Sequence, residues 1–185
     1  MESLTLIPRR DRCQHSVYKM PHCVIILGHS FVCRLEQFIA RSDDHRVSNN
    51  FNLSTDEVAV HFVGKRGASL QQNRALGLDY VTQLQTSVVL IRGVSNDLPV
   101  CDGNKSLNDI FRELVDFVIT LRYGKSVTKV VMLQTLCRLP LTFWVGYKVD
   151  TTWFNSMVDK LNQGMSSYLL NVDGPLLFRL TGFCF

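Results

Sequence analysis

Three short stretches of this sequence carry groups that could do chemistry together: Gly28-His29-Ser30, Gly64-Lys65-Arg66-Gly67 and Ser95-Asn96-Asp97. Each follows an apolar run. The first offers a hydroxyl, the second a glycine N–H, the third a side-chain amide. Glycine in the second permits a positive φ or a close backbone approach to a ligand. A hydroxyl nucleophile with N–H donors aimed at a tetrahedral oxyanion is the set that acyl transfer needs. The three stretches lie far apart in the chain, so the chemistry depends on a fold that brings them to one place.

The elements between them suggest such a fold. Cys23 to Leu27 reads as a strand buried on both faces, ended by Gly28. From Ser30 the period changes. Phe31, Leu35, Phe38 and Ile39 fall on one face of a helix. Ser30 thus sits where a strand hands over to a helix, whose free N–H groups favour a developing negative charge. The plain alternative is that Ser30 only caps that helix. Residues 40–55, rich in Ser, Asp and Asn, read as a surface loop. Val58 to Val63 is a second strand, stopped by Gly64, with His61 inside it as a structural residue. The glycine loop that follows reads equally as a simple turn. Leu70 to Leu84 is a helix with Leu76, Tyr80, Val81 and Leu84 on one side, weakened by Gly77.

Ser87 to Ile91 is a third buried strand, running into Arg92-Gly93-Val94-Ser95-Asn96-Asp97. Ser106 to Arg122 is the clearest helix, opened by a capping box of Ser106 and Asp109. Lys129 to Leu133 makes a fourth strand, followed by a loop with Pro140, Trp144 and Gly146. Thr151 or Thr152 caps a last helix through Leu170, whose aromatic and methionine stripe is core. Residues 175–185 hold a fifth strand candidate. Alternating strands and helices imply an α/β fold: a mostly parallel five-stranded sheet covered by helices on both faces. In such a sheet the three stretches share the carboxyl edge, where ligands bind.

Composition narrows the class. The 185 residues suit one domain with a substantial core, and 46% apolar with 19% charged residues argues against global disorder. Residues 1–20 read as a poorly ordered lead-in, and 21–185 as the domain. The net charge of +4 is too mild and scattered to imply nucleic acid; Arg9, Arg10 and Arg12 read as a solvated tail. The six cysteines form no Cys-x-x-Cys pair and look like reduced thiols rather than a disulfide or zinc framework. No signal-like segment opens the chain, and no apolar run approaches the roughly 18 residues of a membrane span. A cytoplasmic location is the expectation. No metal or cofactor is expected either.

Other motifs fail. Gly124-Lys125-Ser126 invites a P-loop, but position 119 is Ile and the triplet follows a helix. No Gly-x-Gly-x-x-Gly follows the first strand. The nucleophile elbow Gly-x-Ser-x-Gly is absent because position 32 is Val.

The three stretches together resemble the blocks of the SGNH (GDSL-type) ester hydrolases, over about residues 22 to 180. That family's first block is Gly-Asp-Ser after strand one, where this chain has Gly28-His29-Ser30. Its second is a glycine after strand two, matched by Gly67, with Gly64 three residues earlier. Its third is Gly-x-Asn-Asp after strand three, matched by Val94-Ser95-Asn96-Asp97 with the glycine one place early at Gly93. The resemblance implies a three-layer α/β/α, flavodoxin-like sandwich acting on a small ester or acylated substrate. Ser30 would be the nucleophile. The N–H groups of Ser30 and Gly67 and the side chain of Asn96 would form the oxyanion hole, with Asp97 holding the Asn96 loop. His29, Gly64 and Asp97 would line the site.

The departures shape the expectation. His29 replaces the usual Asp, and Val94 the glycine of block three. The family's fourth block, Asp-x-x-His, supplies the general base. Here no His follows His61, and Asp173 is followed by Gly174-Pro175-Leu176. The expectation is an ester hydrolase domain, weakly active or inactive and cut short at its carboxyl end, with His29 as a substitute base only under unusual geometry. The rival is a catalytically silent binding module; similar domains occur in retrotransposon-encoded proteins, which admits a mobile-element origin. A flavodoxin-like nucleotide binder, with phosphate at Gly64–Gly67, is the third reading.

Overall fold

The computed structural model describes residues 21–43, 48, 50–98, 106–138, 150–171 and 176–178. Residues 1–20, the Pro140–Gly146 loop and most of 172–185 lie outside the described residues. The elements run β1 (His22–Gly28), α1 (Ser30–Arg41), β2 (Val58–Gly64), α2 (Leu70–Leu84), β3 (Val88–Arg92), α3 (Leu107–Ile119), β4 (Lys129–Leu133), α4 (Thr151–Leu170) and β5 (Leu176–Phe178). A π-helical turn, Thr120–Gly124, prolongs α3. The five strands form one sheet in the order β2-β1-β3-β4-β5, and every neighbouring pair is parallel. This is the α/β architecture expected from the alternation of apolar runs and helical stripes.

The order reverses at β1, whose chain leads left to β2 while β3 returns to its right. Right-handed crossovers then put α1 on one face and α2, α3 and α4 on the other. The larger core lies under those three helices. Ile25 and Leu27 from β1, Val89 and Ile91 from β3, and Val130 and Met132 from β4 meet Phe117, Leu114 and Phe154 there. Phe117 and Phe154 are fully buried; burying side chains of that size stabilises by about 1.5–3 kcal/mol each.

α1 presents a different face from the one its period suggests, whereas α2 packs Leu76, Val81 and Leu84 on the core as its period suggests and departs only at Tyr80. In α1, Val32 and Ile39 are buried while Phe31 and Phe38 are 44% and 62% exposed. The cause is close packing on two strand-end glycines. A Cβ on Gly28 would come within 2.6 Å of Val32 Cγ2, and one on Gly64 within 2.8 Å of Cys33 Sγ. Residues 32 and 33 therefore lie on the sheet, and Phe31 turns to the flank. In α2 the buried line is Leu70, Asn73, Gly77 and Val81, with Tyr80 exposed. Gly77 sets this line, since a Cβ there would lie 2.6 Å from Leu27 and 3.3 Å from Phe117.

Capping follows side-chain chemistry. Ser69 and Gln72 form a capping box on α2, and Ser106 and Asp109 one on α3. Asp150, not Thr151 or Thr152, caps α4 by accepting from the N–H groups of Thr152 and Trp153. α1 differs: its N-cap is His29, which makes no side-chain capping bond, and Ser30 is its first helical residue.

Candidate active site

Strand register brings the three stretches to one edge. Gly28 pairs with Gly64 on one side and with Arg92 on the other, so β1, β2 and β3 end flush. Gly28 itself admits no side chain, because a Cβ would sit 2.1 Å from the Arg92 carbonyl oxygen. The loops beyond are tied pairwise. Lys65 N donates to Gly28 O at 3.2 Å, joining the first two. Asn96 Nδ2 donates to Ala68 O at 3.0 Å, and Leu70 N donates to both Asp97 carboxylate oxygens at 3.1 and 2.8 Å, joining the second and third. His29 Nε2 and Ser95 Oγ lie 2.7 Å apart, joining the first and third.

Within this knot each residue has a distinct place. Ser30 begins α1, half-buried, with its Oγ 3.4 Å from His29 Nδ1. That is a contact rather than a tight hydrogen bond. Gly67 has φ +69°, a left-handed conformation suited to glycine, and nothing lies within 4 Å of where its Cβ would be. Its backbone thus borders open space. Asn96 spends one amide hydrogen on Ala68 and has a second to give. Asp97 is buried and holds the start of α2. Gly64 lies close under α1, since a Cβ there would come 2.8 Å from Cys33 Sγ. The Val94 side chain belongs to the apolar core, while Gly93 lets the His29 ring and Asn73 approach, at 3.7 and 3.1 Å from its would-be Cβ.

His29 is the electrostatic centre of the edge. It is 6% exposed, and its pKa is lowered from 6.5 to about 4, first by burial and then by the positive charges of Arg92 and Arg138. The ring is therefore neutral at pH 7, with one nitrogen donating and the other accepting. With the proton on Nε2 toward Ser95, Nδ1 turns a lone pair toward Ser30 Oγ. The same two arginines oppose formation of the imidazolium, so His29 accepts a proton weakly.

Sequence reasoning missed several residues here. In the sequence Ser95 is only a member of the third block, yet its hydroxyl meets His29 and its carbonyl accepts from Arg138 Nη2 at 3.3 Å. Arg138 is placed by α4: Asn155 accepts from Arg138 N at 2.8 Å and donates to Arg138 O at 3.0 Å. Asn162, two helical turns on, does the same for Thr135 at 3.0 and 2.9 Å. Two asparagines seven apart on the packed side of a helix were the available signal. Asn73, on the buried line of α2, has neither amide atom hydrogen-bonded. Among the described residues no group of His, Cys, Asp or Glu could hold a metal ion.

The fold matches known structures. A GDSL-like lipase from Bacteroides thetaiotaomicron superposes with a TM-score of 0.58 at 15% identity, over 83% of this chain and 66% of that one. A Bacteroides fragilis protein assigned as an acylhydrolase gives 0.61 at 16% identity, over 91% and 77%. A lipase/acylhydrolase from Enterococcus faecalis gives 0.53 at 15%, over 84% and 74%. No protein-family model and no curated protein sequence matches the chain. The chain thus has the fold of the GDSL/SGNH hydrolases, in a divergent sequence.

Proposed function

We propose that this chain is an SGNH-type ester hydrolase of low turnover, with Ser30 as nucleophile. The observation that carries the reading is the pairwise tying of the three strand-end loops, with the His29 ring against Ser30. Ser30 Oγ attacks the ester carbonyl. The tetrahedral oxyanion is held by the N–H groups of Ser30 and Gly67 and by Asn96 Nδ2, at the start of a helix that lacks an acidic first turn. The hydroxyl proton passes to His29 Nδ1 and then to the leaving alcohol. Water cleaves the acyl-Ser30 ester by the same steps in reverse order. The weak basicity of His29 limits each proton transfer, which is why turnover is low.

No helix among the described residues is long and apolar enough to cross a membrane. The free thiols of Cys23 and Cys33 support a cytoplasmic setting.

The test is release of nitrophenol from a short-chain ester by the wild type, Ser30→Ala and His29→Ala. The expected result is a small rate that both variants lower to the same residual level. Equal rates for wild type and Ser30→Ala would remove the nucleophile and leave the second reading, a silent module that binds an ester or acylated ligand. The depressed basicity of His29 favours that second reading.

A further inference from the structure

Arg92, the last residue of β3, and Arg138, in the segment after β4, both lie close enough to His29 to act on its charge, and neither has a carboxylate partner among the described residues. Arg92 is 6% exposed, yet its only hydrogen bond there is from Nη1 to Gln134 O at 2.9 Å, and its Nε is buried with no partner. Its guanidinium lies 5.2 Å from the centre of the Phe31 ring, in the first turn of α1 beside Ser30. Arg138 is half-buried on the Phe154 ring at 4.1 Å, with Nη2 on the Ser95 carbonyl. Buried cations are ordinarily paired, because leaving one unpaired forfeits hydration without a compensating charge. The nearby carboxylate, Asp97, is turned to Leu70 N at the start of α2. Two guanidiniums, the start of α1 with no side-chain cap, and the hydroxyls of Ser30 and Ser95 thus lie at one sheet edge, and among the described residues no carboxylate pairs with either guanidinium.

We infer that the ligand of this edge carries a carboxylate near its ester or acyl group, and that Arg138 receives it while Arg92 supplies charge from behind. A planar fork on a half-exposed guanidinium suits a planar carboxylate. The inference rests on the strand-end site described above, but not on turnover there.

Binding to Ser30→Ala protein tests it without requiring chemistry. Monomethyl adipate, which has an ester and a carboxylate, is titrated against dimethyl adipate, which has esters only, and against inorganic phosphate. The expected result is binding of the monoester about tenfold tighter than the diester, the difference a charge-assisted hydrogen bond confers. The preference should shrink with added salt. Arg138→Gln should abolish it and Arg138→Lys should retain part of it, with melting curves of both variants confirming a folded protein. Equal binding of monoester and diester, binding of neither, an unchanged preference in folded Arg138→Gln, or phosphate binding as tightly as the monoester would each overturn the inference. Preference for the carboxylate with no Ser30-dependent ester cleavage would sustain it and remove the hydrolase reading. Cleavage of neutral esters with no preference would do the reverse.

Discussion

The two ends of the sheet are built from different chemistry. At the carboxyl end, His29, Asn73, Arg92, Asp97 and Thr135 are all buried polar or charged residues. At the amino end the buried polar residue among those described is Thr86, whose Oγ1 lies 3.7 Å from Cys23 Sγ. Burying polar groups costs stability unless they are bonded. The amino end avoids that cost. The carboxyl end accepts it, and leaves Asn73 and the Arg92 Nε without partners. Departures from a consistent core of this sort mark places shaped by function rather than by stability.

The carboxyl end is most sensitive at Gly28. Gly28→Ala forces a methyl group into the Arg92 carbonyl at 2.1 Å, where backbone must move. The expected loss is about 4 kcal/mol or more, read as a collapsed thermal transition. A mild change in melting temperature would mean that β1 and β3 separate more easily than their pairing implies. Asp97→Asn is next. It replaces a buried charged acceptor at the start of α2 and should cost about 2 kcal/mol in denaturant unfolding.

His29 gives a pH signature. Its folded pKa of about 4 lies below the ordinary 6.5, so the unfolded chain binds more protons between those values. Its contribution to stability is complete above pH 6.5 and is lost as the pH falls toward 4. Melting temperature should drop through that window, and His29→Gln should flatten the drop. The same pKa means that ester cleavage should show no histidine limb near pH 6.5. A rate that titrates there would show that the arginines do not act on His29 as described. The smallest effect belongs to the amino end. Thr86→Val should change stability by about 0.5–1 kcal/mol and leave ester cleavage and ligand binding untouched.

The fold was legible because periodicity and glycine stops are local. Strands near 23–27, 58–63, 87–91 and 129–133 follow from apolar runs alone, and the capping boxes from residue types three apart. The side that a helix turns to the sheet was less legible. Phe31 and Phe38 carry more apolar surface than Val32, but Gly28 and Gly64 decide the packing, and that requires knowing that β1 and β2 are adjacent. Of the candidate site, Ser30, Gly67, Asn96 and Asp97 came from their positions after strands. The contact of His29 with Ser95 spans 66 residues, and no local pattern encodes it. Arg92 reads as a strand terminus and Arg138 as a loop residue until the fold puts both beside His29.

The proposed function stands or falls on whether Ser30 acts as a nucleophile at the carboxyl edge of the sheet. The most direct measurement is covalent trapping with an activated alkylphosphonate ester, followed by mass mapping of the peptide spanning residues 20–34. Attack by Ser30 Oγ expels the leaving group and forms a stable phosphonyl ester that mimics the tetrahedral intermediate. A slow, stoichiometric adduct on Ser30, lost in Ser30→Ala and slowed in Asn96→Ala, is the predicted result. No adduct, or one spread over Ser95 and other surface hydroxyls at equal rates, would contradict it.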